Sequence, residues 1–261
     1  MIPAALSPLR LPAIAAPMFL TSGPDLVVET CKGGVVGSFP ALNQRSTQGF
    51  SDWLDQIRGR LGPMDAPYGV NLVVHRSNPR LAADLEVVVA HRVPLVITSL
   101  GAVAEVVEAV HSYGGLVFHD VIGLRHAQKA AQAGVDGIIA VAAGAGGHGG
   151  TLSPFALLAE IRAMFDGCLI LSGAMTTGAQ IAAARLMGAD LAYLGTRFLA
   201  TREAMAQPAY KQMVVDSRAA DILYTPNISG VAANFLRPSI VAAGLDPDAL
   251  GSPWVAAASS F

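Results

Sequence analysis

One histidine in this sequence, His148, lies in a segment that is dense in glycine. The segment Val141–Pro154 reads VAAGAGGHGGTLSP, and its five glycines flank the histidine on both sides. Imidazole is the side chain whose ordinary pKa lets it give or take a proton near neutral pH. Glycines let a backbone turn sharply and lie close to a ligand. The combination predicts a ligand-binding loop in which His148 is the general base.

Other chemistries that these residue types could support are disfavoured by their spacing. The other five histidines have neither the spacing of a metal pair nor a cluster of acidic residues, so we expect no metal site. Cys31 and Cys168 are far apart and are expected to be buried, reduced thiols. Gly144–Gly149 matches G-x-G-x-x-G, but the following helix begins only near Pro154 and Asp166 falls in a later turn. We therefore reject a dinucleotide-binding fingerprint.

Short apolar runs alternate with helical patterns eight times along the chain. The runs are Pro12–Ala16, Val35–Phe39, Tyr68–Val73, Pro94–Ser99, Leu116–Val121, Gly137–Val141, Cys168–Leu171 and Leu191–Leu194. The helical patterns are Asp25–Lys32, Ser51–Arg60, Asn78–His91, Ala104–Ser112, Leu124–Ala133, Pro154–Phe165, Gly178–Met187 and Ala209–Asp216. Such alternation with short joints predicts an α/β fold with a parallel sheet. Eight units favour a closed (β/α)8 TIM barrel over an open doubly wound sheet, which would need two domains or long edge strands.

The regular alternation stops after Ser217. We therefore expect a barrel domain over residues 1–217 and a C-terminal appendage over residues 218–261, where four prolines fall without a clear period. The appendage is expected to lie over the ligand face of the barrel.

Composition narrows the function classes. The chain of 261 residues is 52% hydrophobic and 14% charged, which suits strands buried on both faces. A net charge of −2 gives no basic patch for nucleic acid. Prolines interrupt the apolar N-terminus as they would not in a signal peptide, and no apolar run reaches the length of a membrane span. We expect a cytoplasmic protein without nucleic-acid or membrane partners.

In a (β/α)8 barrel, ligands bind at the carboxyl ends of the strands, often with a phosphate at the last two. Here the seventh strand is followed by Ser172–Gly178 and the eighth by Gly195–Arg197. Glycine-rich turns before helices offer free N–H groups to a phosphate. Asn71, at the end of the third strand, suits the edge of a heterocycle, although a structural amide that caps loops explains its position equally well.

Five segments, in order along the chain, carry a resemblance to a known family. They are AAPM at Ala15–Met18, YGVNL at Tyr68–Leu72, AGAGGHGG at Ala143–Gly150, LSGAMTTG at Leu171–Gly178 and GADLAYLGTRFLATRE at Gly188–Glu203. Together they resemble the nitronate monooxygenases, formerly called 2-nitropropane dioxygenases. The resemblance implies an FMN-dependent TIM barrel that oxidises alkyl nitronates with O2 to a carbonyl compound and nitrite.

The resemblance also implies roles for individual residues. His148 matches the catalytic histidine, which would orient an anionic nitronate or remove the α-proton of a neutral nitroalkane. The residues implied in cofactor binding are Ala16, Pro17 and Met18 against the flavin, Asn71 and Gly146 in contact with it, and Ser172, Gly173, Ala174, Gly195 and Thr196 at the phosphate end.

Two departures from the family pattern stand out. Some members carry a flavin-contacting lysine where this chain has Asp120, and a carboxylate there is unfavourable beside an anionic cofactor unless it is protonated or turned away. We place Asp120 among the cofactor-binding residues. Members commonly extend further at the C-terminus, so the appendage is interpreted as a shortened substrate lid.

Two other functions stay open at this point, as does a homodimer. One is an NAD(P)H-dependent FMN reductase acting on quinones or an enoyl thioester. The other is a flavin- or phosphate-binding barrel without catalysis.

Overall fold

A closed barrel of eight parallel strands forms the centre of the protein, seen in a computed structural model that describes residues 1–75, 77–101 and 104–251. The barrel strands are β1 Ala13–Ala15, β2 Gly37–Pro40, β3 Tyr68–Val73, β4 Leu95–Ser99, β5 Leu116–Val121, β6 Gly137–Val141, β8 Cys168–Ser172 and β9 Leu191–Leu194. Their order is β1-β9-β8-β6-β5-β4-β3-β2, and a parallel bridge between Ile14 and Val36 joins the two ends of the sheet. The predicted (β/α)8 barrel is confirmed, and β3, β5, β6 and β9 have the predicted bounds.

Helices connect the strands and cover the outside of the barrel. They are α1 Pro24–Lys32, α2 Thr47–Arg60, α3 Leu81–Ala90, α4 Ala104–His111, α5 Leu124–Gln132, α6 Pro154–Arg162, α7 Gly178–Leu186, α8 Thr196–Leu199 and α9 Pro208–Asp216. Local signals explain several of their ends. Thr177 and Gln180 form a capping box at the start of α7. Gly134 and Gly188 have φ of +83° and +100° just after α5 and α7, which is the left-handed conformation that favours glycine at the end of a helix.

The start of α3 differs from the prediction. The helical pattern predicted over Asn78–His91 begins at Asn78, but α3 begins at Leu81. The Asn78 side chain instead closes a turn before the helix. Its Oδ1 atom accepts from the Arg80 N–H at 3.1 Å, and its Nδ2 atom donates to the Val73 carbonyl at 2.9 Å. An asparagine that bonds its own backbone two residues ahead favours such a turn over a helix.

Side chains alternate between two apolar layers along each strand. In β4, Leu95 and Ile97 belong to the cluster inside the barrel, whereas Val96 belongs to the layer between sheet and helices. In β5, Phe118 lies inside and Val117 outside. Because successive strand residues point to opposite faces, this alternation decides which polar residues at the strand ends face the barrel mouth. Cys31 and Cys168 are buried free thiols, as expected.

The C-terminal segment is more regular than its sequence indicated. It contains β10 Ile222–Thr225, β11 Ala233–Leu236 and the helix α10 Arg237–Ala242. The two strands form an antiparallel hairpin, and β11 also pairs with β7, a two-residue strand at Gly147–His148. The hairpin therefore adjoins the glycine-rich loop after β6. In the part of the chain that the structure describes, no helix has the length and apolarity that crossing a membrane requires.

Candidate active site

Inward-facing polar side chains at the ends of β3, β4 and β5 form one hydrogen-bonded chain. Asn71 Nδ2 donates to the Ile97 carbonyl at 3.1 Å and to Ser99 Oγ at 2.7 Å. Ser99 Oγ donates in turn to Asp120 Oδ2 at 2.6 Å. Because a backbone carbonyl can only accept, Ile97 fixes the orientation of the Asn71 amide. The amide oxygen of Asn71 is thereby left as an acceptor for a ligand.

Asp120 ends this chain with one unused oxygen. Its Oδ1 atom is buried, and no donor or acceptor among the described residues reaches it. Burial raises the pKa of the carboxyl group to about 6, although the Ser99 hydrogen bond lowers it in part. Since Oδ2 already accepts from Ser99, a proton on Asp120 belongs on Oδ1. Asp120 thus offers an O–H donor at the barrel mouth when it is neutral.

The loops after β6 and β8 pack against each other through glycines. Ala174 N donates to the Gly144 carbonyl at 3.1 Å. Gly144 has φ of +86°, and a Cβ atom there would lie 3.0 Å from the Ala174 Cβ atom. Gly173 has φ of +148°, and a Cβ atom there would lie 2.9 Å from the Ala143 carbonyl oxygen. Both positions require glycine, because a side chain would meet both strain and a close contact.

The loop after β9 completes the ring of loops. A Cβ atom on Gly146 would lie 3.7 Å from Thr196 Oγ1, so the β6 and β9 loops approach each other. A Cβ atom on Gly195 would lie 3.8 Å from Met18 Sδ and 3.9 Å from Ala16 Cβ. The predicted residues of the β1, β6, β8 and β9 loops therefore meet around one mouth. The absence of Cβ atoms leaves backbone exposed there, which suits a flat ligand and a phosphate.

The remaining predicted residues have definite places. Ala16, Pro17 and Met18 form the half-buried turn after β1, where Met18 O accepts from Asn43 Nδ2 at 3.0 Å. Ser172 is the last residue of β8 and lies beside Tyr193 of β9. The backbone of His148 lies in β7, whereas its side chain is outside the described part of the structure.

His119, next to Asp120, points away from the mouth. Its Nδ1 atom is 2.7 Å from Thr98 Oγ1 in the layer between sheet and helices. Burial lowers the pKa of His119 to about 4, so the ring is neutral at physiological pH. This histidine serves packing and not the mouth.

Two residues of the C-terminal hairpin also contact the glycine-rich loop, and the sequence analysis missed both. Asn234 Nδ2 donates to the Ala145 carbonyl at 2.6 Å, and the Tyr224 hydroxyl donates to the Gly149 carbonyl at 3.2 Å. No local pattern could have indicated these contacts, because they join segments that are distant in sequence.

A groove of about 690 Å³ opens at the opposite end of the barrel. It is bordered by Asp190, whose Oδ2 atom accepts from Arg162 Nη2 at 2.7 Å and from the N-terminal amino group at 3.0 Å. The same oxygen accepts from Leu169 N. The polar groups around Asp190 thus bind one another, so we assign them to the stability of the fold, which is the usual role of this end of a (β/α)8 barrel. Within the described residues, no group of three potential metal ligands is found.

Fold and mouth together define a (β/α)8 barrel protein with a candidate ligand site at the carboxyl ends of its strands. The family model for nitronate monooxygenase matches residues 3–245, and the chain belongs to this family of flavin-dependent oxidoreductases.

Similar proteins include a nitronate monooxygenase of Paraburkholderia phytofirmans, which is 27% identical over 90% of this chain and 76% of that protein. A provisionally named monooxygenase of Mycobacterium tuberculosis is 32% identical over 65% of this chain and 49% of its own length. A carboxyl-CoA dehydrogenase of Rhodococcus jostii is 25% identical over 88% of this chain and 64% of that protein. The chain thus spans about half to two thirds of the length of the latter two relatives.

Solved structures with the same fold include the following two. Nitroalkane oxidase from Streptomyces ansochromogenes superimposes with a TM-score of 0.81 at 25% identity, covering 96% of this chain and 90% of that one. FabK from Thermotoga maritima gives a TM-score of 0.80 at 25% identity, covering 89% and 73%.

Proposed function

We propose that the protein is an FMN-dependent enzyme that oxidises alkyl nitronates with O2 to a carbonyl compound and nitrite. The observation that carries the proposal is the meeting of the β1, β6, β8 and β9 loops around a mouth lined by Asn71, Ser99 and Asp120. Family membership supplies the reaction class.

The residues present fit a flavin. The glycines at positions 144, 146, 173 and 195 leave space that Cβ atoms would fill. The unused oxygens of Asn71 and Asp120 offer an acceptor and, in the neutral acid, a donor to a heterocycle that carries both kinds of group. Below its pKa of about 6, a neutral Asp120 also removes the electrostatic conflict that a carboxylate would create beside an anionic cofactor.

Each part of the mouth has an assigned task in this proposal. Ala16, Pro17 and Met18 lie against the ring, and Asn71, Asp120 and Gly146 contact it. The phosphate end is held by Ser172, Gly173, Ala174, Gly195 and Thr196.

His148 acts on the substrate. It orients an anionic nitronate by hydrogen bonding, or removes the α-proton when the substrate is a neutral nitroalkane. The flavin, when bound, takes the electrons from the substrate and passes them to O2. Residues 1–217 form the FMN-binding domain, and the described part of the appendage, residues 218–251, forms a substrate lid. Residues 252–261, which the predicted appendage also includes, lie outside the described chain.

The first experiment tests the cofactor. Purified protein is expected to show the visible absorbance of a flavin and to release FMN on denaturation. A colourless protein that cannot be reconstituted with FMN would contradict the proposal.

The second experiment tests the reaction by stopped-flow spectroscopy without oxygen. A primary alkyl nitronate is expected to bleach the flavin absorbance, whereas NADH and NADPH are expected to leave it unchanged. His148→Ala is expected to abolish fast bleaching, and His126→Ala, which removes an exposed histidine on α5, serves as the matched control. Unchanged turnover in His148→Ala would refute the role of His148.

A second candidate function is an NAD(P)H-dependent FMN reductase acting on quinones or an enoyl thioester. The Rhodococcus jostii relative, named as a dehydrogenase of a carboxyl-CoA compound, supports it. Bleaching by NADH or NADPH but not by the nitronate would favour this candidate and refute the first.

A further inference from the structure

The C-terminal hairpin is bound to the glycine-rich loop along its backbone. Ala233 of β11 is the register partner of His148, and Asn234 is the partner of Gly147. Within the hairpin, Tyr224 of β10 lies directly opposite Asn234. Side chains of directly opposed residues in an antiparallel pair project to the same face. The hairpin therefore presents Tyr224 and Asn234 side by side to the loop.

These two side chains bind carbonyl groups on either side of the catalytic candidate. The Asn234 amide donates to Ala145 O at 2.6 Å, and the Tyr224 hydroxyl donates to Gly149 O at 3.2 Å. The loop backbone from Gly146 to His148 is thus held at both ends as well as through the β7–β11 pairing. Ala145 is itself buried in the cluster inside the barrel, which makes it a firm anchor.

Such tethers matter most in a glycine-rich segment. Glycine loses more conformational freedom on ordering than any other residue, and Gly147 adopts φ of +66° with open space where a Cβ atom would lie. Packing alone therefore does not hold this part of the loop. Misplacing a catalytic group by about 1 Å can reduce the rate by about 100-fold, so the hydrogen bonds that order the loop bear directly on catalysis.

We propose that Asn234 is a positioning residue, which holds the glycine-rich loop so that His148 meets the substrate, with Tyr224 as a second and weaker tether. The inference rests on the proposed function, because it takes His148 as the catalytic group. It makes the C-terminal hairpin a part of the active site and gives it a task distinct from covering the mouth.

Three variants separate the contributions of the tethers. Asn234→Ala removes the amide. Asn234→Asp keeps its size, but an ionised carboxylate has no proton to donate and repels the Ala145 carbonyl oxygen. Tyr224→Phe removes only the hydroxyl and keeps the ring.

The experiment measures kcat and KM for a primary alkyl nitronate, bound FMN and Tm, with each variant made in the wild-type and His148→Ala backgrounds. Both Asn234 variants are expected to lower kcat by about tenfold or more, with Tyr224→Phe less affected, while FMN content and Tm stay close to wild type. In the His148→Ala background, Asn234→Ala is expected to cause no further loss, because residues that act through one another are not additive.

Three outcomes would overturn the inference. The first is a kcat of Asn234→Ala equal to that of the wild type. The second is a loss of kcat from Asn234→Ala in the His148→Ala background as large as its loss in the wild-type background. The third is a fall in kcat that is fully explained by a loss of bound FMN or a lower Tm. If Asn234→Ala fails to fold, Tyr224→Phe in the two backgrounds decides by the same criterion. Unchanged activity of His148→Ala alone would instead refute the proposed function, so the two failures are distinguishable.

Discussion

Replacing Asp120 by asparagine is expected to stabilise the flavin-free protein at neutral and alkaline pH. Asparagine keeps an acceptor for the Ser99 hydroxyl and places an amide donor where the unused Oδ1 atom of Asp120 lies. It also removes the need to ionise a carboxyl group in a poorly solvated place, which is the cause of the raised pKa of Asp120.

The magnitude and the pH range follow from the two pKa values of Asp120. The carboxyl group titrates near 3.8 in the unfolded chain and at about 6 in the folded protein. The contribution of the neutral carboxyl group to the free energy of unfolding is complete below about pH 3.8. It falls as the pH rises through the folded pKa and is lost above about pH 6. A difference of about two pH units corresponds to about 3 kcal/mol, as an upper value because Asp120 is only partly shielded from the open mouth.

Urea denaturation of both proteins at a series of pH values from 4 to 8 measures this effect. The free energy of unfolding of Asp120→Asn, relative to that of the wild type, is expected to increase by up to about 3 kcal/mol as the pH rises from 4 to 8. Asp166→Asn, which removes an exposed carboxylate after α6, controls for the change in net charge. A difference between Asp120→Asn and wild type that is the same at both ends of the series would refute the reasoning, because Asp120 would then ionise as freely as in the unfolded chain.

Three further substitutions test other parts of the site. Gly144→Ala is expected to lower the free energy of unfolding by about 1–3 kcal/mol, because φ is +86° and the new methyl group meets the β8 loop. Urea denaturation measures this loss, and Gly147→Ala, whose methyl group meets open space, is the control. A loss in Gly144→Ala no larger than that in Gly147→Ala would contradict the prediction. Thr177→Ala is expected to cost about 1 kcal/mol by removing the cap of α7, and an unchanged denaturation midpoint would refute that role. Ser99→Ala is expected to raise the pKa of Asp120 further, because the Ser99 hydroxyl stabilises the carboxylate. In the Ser99→Ala background, the pH range over which Asp120→Asn changes the free energy of unfolding should therefore move upward. A downward move would contradict the prediction.

Most of the barrel could be predicted because its signals are local. The apolar runs of β3 and β5 and the glycines at positions 134 and 188 each specify a strand or a helix end within a few residues. Asn71 was placed at the mouth because it lies at the end of a predicted strand, and Asp120 because some members of the similar family carry a flavin-contacting lysine at that position.

The parts that escaped prediction depend on contacts between distant segments. β7 consists of only Gly147 and His148, and glycine is depleted in strands. The strand exists because β11 pairs with it. The hydrogen bond from Ser99 to Asp120 depends on how two strands are aligned, so this partner of the carboxyl group could not be foreseen. His148 as the catalytic residue stays a prediction.

The closure of the barrel has a consequence for how the chain folds. β1 pairs with β9, so Ala13 must find Ala192 before the sheet loses its open edges. Pairings between such distant residues make folding slow, and a growing chain exposes strand edges that can aggregate until β9 has been synthesised. The loops of the mouth also converge only after this step. A ligand held by them binds only the closed chain and shifts the folding equilibrium toward it, so cofactor supply during synthesis is expected to influence the yield of folded protein.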